Sequence, residues 1–89
     1  MLAGGDLTLA QAIVDVVAEV KFARMKWPPF NSAHEGIAVI DEERDELWDH
    51  IKLSQPRRDL REMRAEAKQV AAMGLRFMLD VCDEERGRK

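Results

Sequence analysis

The hydrophobic residues in the first third of the chain recur at the spacing of an amphipathic helix. The pattern predicts a helix from a cap at Asp6 or Thr8 to about Met25, and Thr8 with Gln11 forms a capping box. Its β-branched residues also suit a strand, but several alanines favour a helix and no second strand-like segment follows for pairing. The apolar positions cover more than half of the circumference, which predicts contacts on two sides, one of them with another subunit. These positions are Leu9, Ile13, Val16, Val17 and Val20.

A proline-rich corner separates this helix from a second one. Residues 27–30 have the sequence WPPF, and two prolines cannot continue a helix. Ser32 and Glu35 then form another capping box, from which a helix is predicted to run to Ile51. The apolar side of this helix consists of Ile37, Ile40, Leu47, Trp48 and Ile51.

A third helix is predicted from Pro56, which suits a first helical turn, to about Cys82. The short loop before it requires the second and third helices to be antiparallel. The predicted fold is therefore all-α, with three main helices in a bundle completed by homo-oligomerisation. It forms a single domain over residues 1–89, with residues 1–5 and 83–89 flexible. The expected core stripe of the third helix is Leu60, Met63, Ala67, Val70, Gly74, Phe77, Met78 and Val81, and a second apolar patch is Ala72, Leu75 and Leu79.

The composition narrows the class of protein. A chain of 89 residues has room for one small core, and a net charge of −3 with both signs mixed argues against nucleic-acid binding. Cys82 is the only cysteine, so an internal disulfide is excluded. No signal-peptide pattern begins the chain, and no apolar run approaches the roughly 20 residues that cross a bilayer. We therefore expect a cytoplasmic protein without a membrane partner.

Acidic residues on the border of the apolar stripe are candidates for a metal site. Glu43 and Glu46 lie one turn apart on the second helix, and Glu66 and Gln69 repeat this placement on the third. Antiparallel packing brings the two pairs together, and their oxygens suit Mg²⁺ or Mn²⁺ better than zinc. The alternative is a solvated acidic face, which is the usual setting of acids at i, i+3. His50 projects near Glu43 and is either a supporting partner of the site or a hydrogen-bonded histidine of the bundle.

Two segments carry a family resemblance: HEGIAVIDEERDELW at residues 34–48 and EAKQVAAM at residues 66–73. Together they resemble the MazG-like branch of the all-α nucleoside triphosphate pyrophosphohydrolases. The preceding PPFNSAHE is similar to the small phage and bacterial members, and the resemblance covers roughly residues 20–82. The family holds Mg²⁺ between an ExxE on one helix and an ExxD on the next. Glu43, Glu46 and Glu66 match this signature, whereas Gln69 takes the place of the aspartate.

The resemblance implies a homodimer or homotetramer that hydrolyses a nucleoside triphosphate to its monophosphate and pyrophosphate. It implies Glu43 and Glu42 as catalytic residues. Because Gln69 adds no negative charge, Glu42 and Asp80 are candidates for a compensating acid. A rival hypothesis is a noncatalytic helical binding module with the same fold, which Gln69 favours. The implied Mg²⁺ ligands are Glu43, Glu46, Glu66 and Gln69.

Four residues are candidates for substrate binding. Lys21 and Arg24 interrupt the apolar face of the first helix, so they either extend to solvent at its edge or bind an anion. Trp27 either packs the end of the bundle or forms a platform for a nucleobase. Arg76 lies on the Gln69 side of its helix, where it is a candidate for phosphate binding.

Overall fold

The computed structural model describes residues 4–88 and contains three long helices: α1 (Gly4–Lys26), α2 (Ala33–Ile51) and α3 (Leu60–Phe77). A π-helical segment, Met78–Asp83, continues α3, and short 3-10 turns lie at Gln55–Arg57 and Arg86–Arg88. Residues 4–88 contain no strand. The all-α class with three main helices is therefore confirmed, including the helix at the β-branched segment of α1. None of the helices in this range is long and apolar enough to cross a bilayer.

The start of α1 differs from the prediction. The helix already begins at Gly4, so Thr8 lies inside it and does not cap it. Asp6 lies in the first turn, where its carboxylate opposes the positive end of the helix dipole. The other end agrees with the prediction, because the Trp27 N–H closes the last turn on the Ala23 carbonyl at 2.8 Å and the two prolines follow.

A local hydrogen bond determines the start of α2. The Ser32 Oγ accepts the Glu35 N–H at 3.1 Å, and the Glu35 carboxylate accepts the Asn31 side-chain amide at 3.2 Å. The predicted cap at Ser32 is confirmed. This cap places the first turn of α2 directly after the proline corner.

The connection from α2 to α3 is longer than predicted. Pro56 belongs to a 3-10 turn, and α3 begins only at Leu60, with the Asp59 carboxylate accepting the N–H groups of Arg61 at 2.9 Å and Glu62 at 3.3 Å. The Arg58 guanidinium donates to the Ile51 carbonyl at 2.6 Å and so occupies the carboxyl end of α2. Asp59 makes a better helix start than Pro56, because its carboxylate accepts two backbone N–H groups of the first turn and a proline side chain has no acceptor.

Helix α3 packs against both α1 and α2, and its buried face differs from the predicted stripe. Leu60 is 76% exposed and Met78 is 56% exposed, whereas Ala72, assigned to the second patch, is completely buried. The sequence pattern assigned one core face to α3, but a helix between two neighbours buries two faces. The buried apolar core is Val20, Ala23, Phe30, Ala72, Met73 and Val81.

A wide apolar face of α1 remains uncovered in the single chain. Six large side chains are more than half exposed: Leu7, Leu9, Ile13, Val14, Phe22 and Met25. Trp48 on α2, predicted to lie in the apolar stripe, is also about half exposed. This surplus apolar surface agrees with the sequence pattern, and association of chains stays a prediction.

After Val81 the chain turns at Glu85, whose φ is 61°, and continues into the 3-10 turn Arg86–Arg88. Glu84 forms ion pairs with Arg24 at 3.2 Å and with Arg86 at 2.7 Å. Residues 1–3 and 89 lie outside the described range, and the flexibility expected for 1–5 and 83–89 stays a prediction.

Gly36 is buried where α2 meets two aromatic rings. A Cβ at this position would lie 2.5 Å from the Phe77 ring and 3.3 Å from the Phe30 ring. Gly36→Ala is therefore expected to lower the free energy of unfolding by about 1–2 kcal/mol, because the overpacking cost exceeds the gain of about 1 kcal/mol in helix propensity. The matched control is Gly74→Ala in α3, where a Cβ meets nothing within 4 Å and a gain of up to about 1 kcal/mol is expected. Urea denaturation of both variants measures the difference, and equal effects would contradict the close contact at Gly36.

Candidate metal centre and adjoining pocket

Three carboxylates from two helices converge at the α2–α3 interface. Glu43 and Glu46 lie one turn apart on α2, and antiparallel packing brings Glu66 of α3 beside them. One oxygen of each carboxylate lies within 4.8 Å of one oxygen of the other two. Glu43 and Glu66 are half-buried, and Glu46 is exposed. The structure thus brings together the three acids that the sequence analysis placed in one cluster, and we call them the glutamate cluster.

The electrostatics of the glutamate cluster favour a bound cation or proton. Burial raises the pKa of Glu43 to about 7, and the negative charges of Glu46, Glu66 and Glu42 add to this shift. Burial and Glu46 also raise the pKa of Glu66, while the nearby His50 opposes the shift. One oxygen of Glu43, Oε2, is buried and has no hydrogen-bond partner. An unpartnered buried carboxylate oxygen is costly unless a positive charge compensates it.

The donor set of the cluster fits a hard divalent cation. Oxygen ligands of Mg²⁺ lie about 2.0–2.1 Å from the ion, so two of them are at most about 4.2 Å apart. Neighbouring ligands of the octahedral ion are about 2.9 Å apart, so side-chain movements of up to about 2 Å bring the oxygens of the glutamate cluster, which lie within 4.8 Å of one another, onto one ion. Carboxylate oxygens without sulfur or coordinated imidazole favour Mg²⁺ or Mn²⁺ over zinc.

The raised pKa of Glu43 makes stability depend on pH in a defined direction. The folded protein binds this proton more tightly than the unfolded chain, so the stabilisation is complete below the ordinary value of 4.5 and is lost as the pH rises through about 7. In the absence of divalent cations, we expect the Tm to fall over this range and Glu43→Gln to flatten that fall. Thermal denaturation with a chelator measures both profiles. Identical slopes for the parent and the variant would contradict the assignment.

His50 and Gln69 take positions that helical projection alone did not determine. The Nε2 of His50 lies 3.8 Å from Oε1 of Glu66, so the histidine contacts the acid of the opposite helix and not Glu43. Gln69 is one turn from Glu66 on α3, and its side-chain amide donates a hydrogen bond to the carboxylate of Glu19 on α1. The sequence analysis missed Glu19, because its spacing within α1 gives no indication that it reaches α3.

Asp80 was proposed as a compensating acid, and the structure contradicts this. It is completely buried and accepts the Phe30 N–H at 3.2 Å. Its carboxylate also lies 3.5 Å from Arg24 and 3.6 Å from Arg76. Asp80 therefore holds the α1–α2 corner against the end of α3 and belongs to an ion-paired network of the core. Glu42, the other candidate, is exposed and is close enough to raise the pKa of Glu43.

A pocket of about 510 Å³ adjoins the glutamate cluster and extends towards the proline corner. Of the glutamate cluster, Glu43 lines the pocket, and Gln69 lines it as well. Aromatic rings and two cations line the remainder, a composition that suits a ligand with both a planar ring and negative charge. The other carboxylates of the lining are Glu19, Glu35 and Glu42, the aromatic residues are Phe22, Trp27 and Phe30, and the cations are Lys26 and Arg76.

The four predicted substrate-binding residues take different places. Trp27 and Arg76 line the pocket, whereas Lys21 and Arg24 are not part of its lining. Arg24 instead forms ion pairs with Asp80 and Glu84. Arg76 is only 3% exposed, because its guanidinium donates to the Pro28 carbonyl at 2.9 Å and stacks on the Phe30 ring at 4.3 Å. It thus forms part of the pocket wall.

Lys26 is the cation at the pocket that the sequence analysis missed. Its ammonium lies 5.3 Å from the centre of the Trp27 ring and 5.8 Å from that of Phe22. Its position directly before the proline corner was the available signal, because the last residue of α1 shares the corner with Trp27. Lys26 is exposed and retains freedom to contact a ligand.

No protein family, curated protein or solved structure matches the chain. The geometry of the glutamate cluster and the adjoining pocket therefore carries the functional argument.

Proposed function

We propose that the protein is a Mg²⁺-dependent nucleoside triphosphate pyrophosphohydrolase, which converts an NTP or dNTP to its monophosphate and pyrophosphate in the cytoplasm. The observation that carries this proposal is the glutamate cluster together with a pocket that Glu43 of the cluster lines alongside aromatic rings. A volume of about 510 Å³ is in the range of small-molecule sites. The resemblance of residues 34–48 and 66–73 to the MazG-like enzymes supports the same reaction.

The glutamate cluster has the donors for the cation, with Gln69 available as a neutral neighbour one turn from Glu66. Bound there, Mg²⁺ or Mn²⁺ supplies charge neutralisation for phosphate oxygens and lowers the pKa of water. Glu43 is the central ligand, because its buried oxygen has no partner within the described residues. A divalent charge beside these acids would also offset the burial and the repulsion that raise the pKa of Glu43 and Glu66.

Glu42 is suited to act as the general base. It lies on the pocket wall next to Glu43 and is exposed, so its carboxylate is free to take a proton from the water that attacks the α-phosphorus. Lys26 is suited to contact the phosphates, since it lies at the pocket and is exposed. Trp27 and Phe22 offer ring faces for the nucleobase.

The direct test is incubation of the purified protein with Mg²⁺ and a panel of ribo- and deoxyribonucleoside triphosphates. We expect the monophosphate and pyrophosphate as products, separated by chromatography. In ¹⁸O-labelled water the label should enter the monophosphate, because the water attacks the α-phosphorus. Release of a diphosphate and inorganic phosphate would contradict the proposal.

A second candidate is a noncatalytic helical binding module. The observation that favours it is the neutral Gln69, which is already engaged by Glu19. Absence of turnover with every nucleotide, in Mg²⁺ and in Mn²⁺, would support this candidate over the enzyme. Gain of turnover in Gln69→Asp would instead show that the site is an enzyme centre weakened by the lost charge.

The exposed apolar face of α1 supports a homodimer or a homotetramer in either case. Its large side chains reach 54–59% exposure from Leu7 to Val14, more than a small stable bundle usually presents to water. Light scattering after size-exclusion chromatography measures the mass of the assembly. A mass equal to that of one 10.2 kDa chain would contradict association.

A further inference from the structure

The contact between Gln69 and Glu19 joins α3 to α1 at the pocket wall. The Gln69 amide nitrogen donates to Oε1 of Glu19, and both residues are half-buried and line the pocket together with Glu43. Among the ion pairs within residues 4–88, none involves Glu19. A carboxylate is thus held at the pocket by a neutral amide, without a cation from the chain.

The position of this carboxylate relates it to the glutamate cluster. Gln69 and Glu66 are i, i+3 neighbours, which face the same side of a helix. Glu19 therefore lies one side chain beyond the cluster, on the side that faces the pocket. The buried, unpartnered Oε2 of Glu43 is an independent indication that this region lacks a positive charge.

We propose that Glu19 supplies the fourth negative charge of the cation site, on its pocket-facing side, and that Gln69 is the positioning residue that holds it. This inference rests on the proposed function, because it requires the glutamate cluster to bind a divalent cation. Glu19 is not among the three acids that lie within 4.8 Å of one another, so it acts from outside that cluster. Partners of this kind orient a site and complete its charge.

The chemistry of the pair explains why residue 69 is neutral. An aspartate at this position would place two negative charges in contact, and they would repel each other. Glutamine instead donates a hydrogen bond to the Glu19 carboxylate. The site thus keeps one carboxylate and one amide at the α1–α3 contact, with the carboxylate on α1.

The test measures Mn²⁺ binding to the intact chain without nucleotide, by calorimetry and by the loss of the free Mn²⁺ signal in electron paramagnetic resonance. Glu19→Gln is expected to weaken Mn²⁺ binding by about tenfold or more, as loss of an outer partner of a metal site does. The double variant Glu19→Gln with Gln69→Asp exchanges the amide and the carboxylate, and it is expected to recover most of the affinity. The double variant also keeps the test valid if Glu19→Gln alone folds poorly.

Asp15→Asn is the matched control, because Asp15 is an acid one turn earlier on α1 that pairs with Arg64 at 2.7 Å and does not line the pocket. It removes the same charge, and no change in Mn²⁺ affinity is expected.

Equal weakening in Glu19→Gln and Asp15→Asn would overturn the specific role of Glu19. If Glu43→Gln abolished Mn²⁺ binding and Glu19→Gln left the affinity unchanged, the role of Glu19 would also be overturned. The cation site at the glutamate cluster would be retained in that case. Absence of Mn²⁺ binding by the parent would overturn the cation site and the proposed function together.

Discussion

Glu43→Gln is expected to lower kcat/KM for hydrolysis of the best nucleoside triphosphate by about a thousandfold, the order of effect of removing a group that stabilises charge in the transition state. The substitution keeps the shape of the side chain and removes the charge at the buried centre of the glutamate cluster. Glu46 and Glu66 remain, but the amide in place of Glu43 adds no negative charge to hold the cation. Steady-state kinetics with Mg²⁺ in excess measure the loss.

Stability separates this loss from misfolding. Because burial and neighbouring acids raise the pKa of Glu43 to about 7, its ionised form is unfavourable in the folded chain without a cation. Glu43→Gln should therefore be at least as stable as the parent above pH 7 in a chelator. The control is Asp41→Asn, an exposed acid on the same helix that does not line the pocket, for which near-parental kinetics are expected. Near-parental kcat/KM in Glu43→Gln would contradict the catalytic assignment.

Asp80→Asn is expected to lower the free energy of unfolding by about 3 kcal/mol or more, because it leaves a buried guanidinium without its charge partner. Asp80 is completely buried, and Arg76 beside it is 3% exposed. The asparagine has nearly the same volume, so the change tests charge and not packing. Against a total stability of about 5–15 kcal/mol for a small domain, this loss is large.

Urea denaturation followed by circular dichroism measures the effect of Asp80→Asn. Glu84→Gln is the control, since it removes the partly exposed partner of Arg24 from the same network and should cost less than about 1 kcal/mol. If Asp80→Asn lay within that same small range, the ion pair between Asp80 and Arg76 would not be important to the fold.

Substitutions in the glutamate cluster and in the ion-paired network of Asp80 are expected to have different effects on activity and stability. The glutamate cluster contributes repulsion that only a cation or a proton relieves, so its replacement is expected to reduce activity and to leave stability unchanged or improved. The Asp80 network contributes attraction within the core, so its disruption is expected to lower the free energy of unfolding. Glu43 and Asp80 differ in their surroundings: Asp80 is completely buried beside Arg24 and Arg76, whereas Glu43 is half-buried beside other glutamates.

Much of the site was predictable because it depends on local rules. The prolines at the corner and the cap at Ser32 set the start of α2, and i, i+3 spacing placed Glu43 beside Glu46. The expectation of a short connection predicted antiparallel packing, and Glu66 does lie beside Glu43 and Glu46, although the connection is longer than predicted. These steps need only neighbouring residues and one loop.

The remainder depended on how α1 meets α3, which no local pattern determines. The sequence predicted Asp80 as a possible acid of the site, but the packing buries it between Arg24 and Arg76. It did not predict Glu19, because the contact with Gln69 joins residues 50 positions apart.

The amino-acid sequence alone determined three helices, the proline corner, the start of α2 and the acids of the glutamate cluster, since helix periodicity and capping act within a few residues. Only the tertiary structure decided which acids face the pocket and which pair with arginine. Burial and charge pairing arise between helices. A carboxylate that packs against an arginine of the chain stabilises the fold, whereas one that packs against other carboxylates is available to bind a cation.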